Sequence, residues 1–135
     1  MMSVPLVLSA VAFGGALGAL ARYGLTLWLV ANLYRETFWA TLSINLIGCF
    51  AIGMISALLL QYKPHPAWTL LLLTGFLGSF TTYSTFTLDA LMLWQKGAFA
   101  LAFTHLATQL IGGFILCFAG LASGQWLIST FSGLK

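Results

Sequence analysis

Gly75-Phe76-Leu77-Gly78-Ser79-Phe80-Thr81-Thr82-Tyr83-Ser84-Thr85-Phe86-Thr87 is the stretch that decides how this chain is built. Glycines and hydroxyl side chains crowd into the middle of an apolar run that extends from Trp68 to Trp94. A helix break inside lipid is tolerated only where the freed backbone groups face protein or a cavity. Discontinuous helices at that depth are also where transport proteins bind ions. An unbroken helix packing through small residues would use the same glycines. The hydroxyl side chains beside them favour the break.

Outward from this segment the chain is apolar throughout. Of its 135 residues 61% are hydrophobic and 5% charged, against roughly 25% charged in a soluble domain. Such a surface is incompatible with water, and lipid is the expected solvent. A spanning helix takes about 20 residues, so the length allows four spans and no soluble domain. The apolar stretches run over 5–31, 38–60, 68–94 and 98–128. Pro64 and Pro66, with Lys63, stop the second, and Gln95-Lys96-Gly97 closes the third. Trp28, Trp39, Trp68, Trp94 and Trp126 fall near the proposed ends, as an aromatic belt would. The fold class expected is therefore all-α integral membrane, one domain over 1–135, with the third of four helices broken at mid-membrane.

Charges are few and scattered. Arg22, Arg35, Lys63, Lys96 and Lys135 make no nucleic-acid footprint. Four spans place Lys63 and Lys135 on one side, and Arg35 and Lys96 on the other with Arg22 near that end. Insertion follows the lysine and arginine excess in short loops. With almost no excess, the chain is expected to insert both ways up and to pair antiparallel with itself. The start, Met-Met-Ser-Val-Pro, has no basic region, and the first stretch is read as a retained helix without a cleaved signal. Cys49 and Cys117 lie in apolar stretches and are read as free thiols.

Polar residues recur at helical spacing. Gly14, Gly18 and Arg22 share one face of the first helix, where the glycines allow close backbone approach. Arg22 then turns toward protein, with a structural role or an ionic one open to it. Thr41, Asn45, Gly48 and Ser56 lie roughly along one face of the second. The Asn45 amide offers two uncharged N–H donors; a plain interhelical bond is its alternative reading. His105, Thr108, Gln109, Gly112 and Gly113 stripe the fourth. His105 taken alone is expected to be a satisfied packing residue. The only acids are Glu36 and Asp89. No carboxylate pair, catalytic triad, phosphate loop or zinc spacing is present, so the chain is not expected to be an enzyme.

Three motifs in order resemble a known family. They are Gly14-Gly15-Ala16-Leu17-Gly18-Ala19-Leu20-Ala21-Arg22-Tyr23, Thr41-Leu42-Ser43-Ile44-Asn45-Leu46-Ile47-Gly48 and Gly75 through Phe86. Together they resemble the Fluc (CrcB-type) fluoride channels across nearly the whole chain, the fourth helix matching only loosely. The resemblance implies a passive fluoride-selective channel in the cell inner membrane, exporting toxic cytoplasmic fluoride. It implies a dual-topology homodimer with two pores and one structural sodium ion, bound by the backbone carbonyls of Gly78 and Thr81 from both subunits. It implies pore roles for Asn45, Ser84, Thr85 and Gln109, and for Tyr83 and Phe86, which stand where the family has two phenylalanines. Arg22, Gly14 and Gly18 are carried over as structural. A small multidrug-type exporter also has four helices, but needs a membrane glutamate that the first helix lacks. A purely structural membrane subunit is the third reading.

Overall fold

The structure, a computed structural model, describes residues 3–132. All regular structure among these residues is helical. Helix α1 spans Val4–Asn32 and α2 spans Thr37–Tyr62. Helix α3 covers 67–80, α4 covers Tyr83–Gln95, and α5 covers 99–132. Among the described residues three helices, Val4–Asn32, Thr37–Tyr62 and Phe99–Phe131, are long and apolar enough to cross a membrane. The five tryptophans named above are all surface-exposed, where lipid headgroups would meet them. Lys135, used in the loop-charge argument, lies outside the described residues.

The turns follow from local chemistry. Helix α2 ends on Lys63 in the left-handed conformation, φ 42° and ψ 50°, immediately before Pro64. A proline cannot continue a helix, and the Lys63 N–H closes the last turn on the Leu59 carbonyl at 3.0 Å. Gly97, at φ 75°, ends α4. Its N–H reaches the Trp94 carbonyl at 2.9 Å and that of Ala98 reaches Leu93 at 3.0 Å, the paired closure that a glycine past a helix end permits.

Two helices depart from α geometry. Leu70–Leu77 within α3 and Thr108–Gly112 within α5 are π-helical. In a π-helix residues five apart become neighbours. Leu71 and Phe76 thereby turn their backbones together onto α1, where Gly14 lies against the Leu71 carbonyl and Gly18 against that of Phe76. A methyl group at Gly75 would in turn stand 3.0 Å from the Gly14 Cα, so the two backbones cross at their glycines. Helices α2 and α5 cross in the same manner, Gly53 against the Cys117 carbonyl and Gly120 against that of Phe50. The polar stripe of α5 faces inward: His105 and Gly113 are buried, while Leu110, Ile111 and Phe114 are exposed.

Candidate functional site

Thr81 and Thr82 are extended, at φ −84°, ψ 159° and φ −147°, ψ 121°, and they separate α3 from α4. Two extended residues free backbone groups that a helix would have paired, and the surroundings must replace those partners. Asn45 does so for Thr82. Its Nδ2 donates to the Thr82 carbonyl at 2.9 Å, and its Oδ1 accepts from the Thr82 N–H at 2.8 Å. One primary amide carries a donor and an acceptor side by side, so it pairs with an extended residue as a neighbouring strand would. Of its two N–H donors, one is thus spent, and one remains for another partner. Gly48, one turn along α2, leaves the space that the Thr81 methyl fills.

Local bonds complete the break. The Thr81 N–H and hydroxyl both donate to the Leu77 carbonyl, each at 3.0 Å. The Thr82 hydroxyl donates to Thr85 Oγ1 at 2.9 Å and accepts from the Thr85 N–H at 3.3 Å, capping α4. The Thr85 hydroxyl keeps its own proton free to donate. Arg22 Nε donates to the Ser79 carbonyl at 3.1 Å, which ties α1 to the end of α3. This bond to a carbonyl at a helix end is one of the two roles that its position left open.

The break also diverts donors from Gly78 and Thr81. The Thr82 N–H goes to Asn45 instead of the Gly78 carbonyl four residues back. The Thr85 N–H goes to the Thr82 hydroxyl instead of the Thr81 carbonyl. Both carbonyls lose their helical donors at the negative end of the α3 dipole. Neutral oxygen donors of this kind suit a hard cation and not a soft metal. Among the described residues no cluster of three His, Cys, Asp or Glu side chains is placed to hold a metal ion.

A cavity lies on each side of this clamp. The first, of about 240 Å³, is lined by Asn45, Thr81, Thr82, Tyr83, Phe86 and Gln109, among others. The second, of about 230 Å³, is lined by Arg22, Thr41, Thr82, Thr85 and Asp89 with their neighbours. Thr82 belongs to both. The structure therefore gathers Asn45, Tyr83, Phe86 and Gln109, and places Thr85 across the clamp from them. Ser84 lines neither cavity and is exposed. The Phe86 ring is buried and meets the Tyr83 ring edge-on, centroids 5.1 Å apart at 72°. Tyr83 itself is 75% exposed. An aromatic edge carries partial positive charge and is the side of the ring that an anion can approach.

His105 packs against Phe38 and Phe86 as a packing residue would, but it is not satisfied. The residue is 2% exposed, and neither ring nitrogen has a hydrogen-bond partner. Asp89 Oδ2 and Gln109 Nε2 are likewise buried without partners. Thr82 went unnoticed in the sequence, where the paired threonines after Gly78 were its only signal.

Apolar helices with exposed aromatic ends, enclosing an uncharged amide and hydroxyl site, define a multi-pass membrane protein. The chain belongs to the family described as CrcB-like protein, Camphor Resistance (CrcB), whose model matches residues 9–121. It is 42% identical to the fluoride-specific ion channel FluC of Bordetella petrii over 92% of this chain and 95% of that one. The FluC of Dichelobacter nodosus is 46% identical over 79% of this chain and 87% of its own. That of Stutzerimonas stutzeri is 42% identical over 84% and 92%.

Proposed function

We propose that this protein is a passive fluoride-selective channel of the cell inner membrane. The observation that carries the reading is the cavity at the break, lined by the Asn45 and Gln109 amides, two threonines and the Tyr83 and Phe86 rings without a carboxylate. Fluoride is small and strongly hydrated, and a path through lipid must replace its water with donors. The remaining Asn45 N–H, the Gln109 amide and the Phe86 edge supply them on one side of the clamp. The Thr85 hydroxyl and Arg22 supply them on the other. An interior at −100 mV favours anion exit by about 2.3 kcal/mol, roughly 50-fold, so no pump is required. A cation exporter is disfavoured because the first helix carries Arg22 and no glutamate.

In this reading α3 and α4 form one span interrupted near the midplane, the third of four crossings. Two copies pair antiparallel, and the exposed Tyr83 and Ser84 of each meet the other. Gly78 and Thr81 of both copies hold a sodium ion that fixes the subunits in place and is not transported. The ion adds positive potential at the break; the chain's own residues bind and orient the fluoride.

The test is efflux from reconstituted liposomes, with a potassium ionophore clamping the voltage. Fluoride leaves far faster than chloride. Flux is lost when an organic cation replaces sodium throughout, because the carbonyl site then stands empty. Equal fluoride and chloride loss, or none above protein-free liposomes, overturns the channel. Undiminished flux without sodium overturns the cation site alone.

Dual topology has its own measurement. Cysteines placed singly at Lys63 and Lys96, in a background without Cys49 and Cys117, are expected to label from both sides of the membrane. Labelling of each from one side only excludes antiparallel pairing.

A further inference from the structure

The threonines of these helices follow a habit that Thr85 breaks. Thr26, Thr87 and Thr104 give their hydroxyl protons to the carbonyls four residues back, at 2.8, 2.9 and 2.8 Å. Thr41 and Thr81 do the same at 3.4 and 3.0 Å. A hydroxyl on an apolar helix has no water to bond, and the preceding turn holds the nearest acceptor. For Thr85 that acceptor is displaced. Four residues back stands Thr81, extended at ψ 159° and outside α4, so its carbonyl leaves the line of the helix.

Thr82 supplies the replacement, and the sense of the bond matters. Its hydroxyl donates to Thr85 Oγ1 at 2.9 Å and accepts from the Thr85 N–H at 3.3 Å. Thr85 Oγ1 thus receives a proton from Thr82 and returns none. A hydroxyl carries one proton and two lone pairs. What is left to Thr85 is a free O–H, strengthened as a donor by the bond its oxygen accepts. This side chain lines the second cavity. Around the same cavity Thr26 and Thr41 turn their protons to carbonyls, and the Arg22 Nε is engaged by Ser79.

An anion is drawn to the proton end of a hydroxyl and repelled by its lone pairs. The direction of the Thr82–Thr85 bond therefore decides whether Thr85 helps fluoride or hinders it. We propose that Thr82 is a positioning residue of the pathway: its proton occupies Thr85 Oγ1 and so holds the Thr85 O–H toward the second cavity, where fluoride meets it. The proposal rests on the channel reading above and gives a task to the residue shared by the two cavities. The same hydroxyl also caps α4, and for that it uses only a lone pair.

Proton and lone pair can be removed separately. An asparagine amide oxygen caps a helix about as well as a hydroxyl does, but it can only accept. In Thr82→Asn the Thr85 proton turns to that oxygen and leaves the cavity. Thr82→Ser keeps both the cap and the donated proton. Thr82→Ala loses both and lets the Thr85 hydroxyl rotate. A residue that only capped the helix would rank the variants Ser, Asn, Ala, with Ala worst in stability and flux alike. A positioning residue keeps that order for melting temperature and changes it for flux, to Ser, Ala, Asn.

The experiment is voltage-clamped fluoride efflux from liposomes, with melting temperatures taken on the same preparations in detergent. Thr82→Ser is expected to match the intact protein. Thr82→Asn is expected to melt near it but to lose about tenfold of its flux or more, the loss that follows when an ion forfeits one hydrogen bond. Thr85→Val removes the donor itself, and a Thr82 variant added to it is expected to lower flux no further. A Thr82→Asn protein that conducts as well as Thr82→Ser overturns the positioning role and leaves the channel standing. So does a Thr82→Ala protein that conducts less than Thr82→Asn, and so do losses at Thr82 and Thr85 that multiply in the double variant. Absence of fluoride flux from intact protein that is monodisperse in detergent overturns the channel reading and this proposal with it.

Discussion

Asn45→Asp is expected to abolish fluoride flux, by about a hundredfold or more, in a protein that still folds. The structure separates the two effects. Aspartate keeps an oxygen that accepts from the Thr82 N–H, the bond now measured at 2.8 Å. It loses the donor to the Thr82 carbonyl at 2.9 Å. One of the two clamp bonds therefore survives. A buried carbonyl without a donor costs about 1–3 kcal/mol, tolerable in a bundle held by many other contacts. The ion meets a different change. Its N–H donor becomes an anion about 4 Å away, and repulsion at an effective dielectric constant near 20 is about 4 kcal/mol. Asn45→Ala orphans both Thr82 groups, so it is expected to lower the unfolding midpoint more than Asn45→Asp does. Efflux and thermal unfolding measured on both variants decide the matter. An Asn45→Asp protein that is stable and conducts normally would confine Asn45 to bracing the break.

Gly18→Ala is expected to damage the protein more than its single methyl group suggests. The added carbon would meet the Phe76 carbonyl, with the Phe76 Cα 3.0 Å away. These are backbone atoms, and they cannot rotate aside as a side chain does. Helix α1 must withdraw from α3, and Arg22 one turn along loses its reach to Ser79. Overpacking of a dense core costs about 1–3 kcal/mol, and a rigid opposing backbone places this case at the upper end. Gly24 is the internal control, because a methyl there meets no atom within 4 Å. Gly24→Ala is expected to leave the detergent-solubilised protein monodisperse with an unchanged melting temperature, and Gly18→Ala to lower both yield and melting temperature. Equal behaviour of the two variants would remove the close crossing from the account.

Much of this architecture was legible in the sequence because lipid imposes simple rules. An all-helical membrane protein follows from apolar stretches of spanning length, and the inward stripe of α5 follows from its helical period. The glycines and hydroxyl residues of Gly75–Thr87 pointed to an interruption within that stretch without singling out Thr82. What stayed hidden depends on partners far apart in the chain. Nothing around Asn45 announces that its amide will pair with a residue 37 positions later. Ser84 and Thr85 are adjacent hydroxyl residues, yet one is exposed and the other lines a cavity, a difference set by which face of α4 the break turns inward. His105 reads as an ordinary packing residue, and nothing in the sequence shows that it packs against two phenyl rings with neither nitrogen bonded.

The π-helical stretch Leu70–Leu77 carries a consequence for the ancestry of this helix. A π-helix accommodates surplus residues in nearly the length of an α-helix, so it is what an insertion leaves when the helix absorbs it and the ends stay fixed. Each surplus residue displaces the downstream sequence by about 100° on an α-helical wheel, and the π-turn takes up that step in space. A wheel drawn from Trp68 therefore misassigns the faces of Ser79 and Phe80. Removing one residue between Leu70 and Leu77 would let the stretch close toward α geometry and leave the threonines of the break aimed where they are. The break is thus insulated from a change of residue count that an unbroken α-helix would have to pass on.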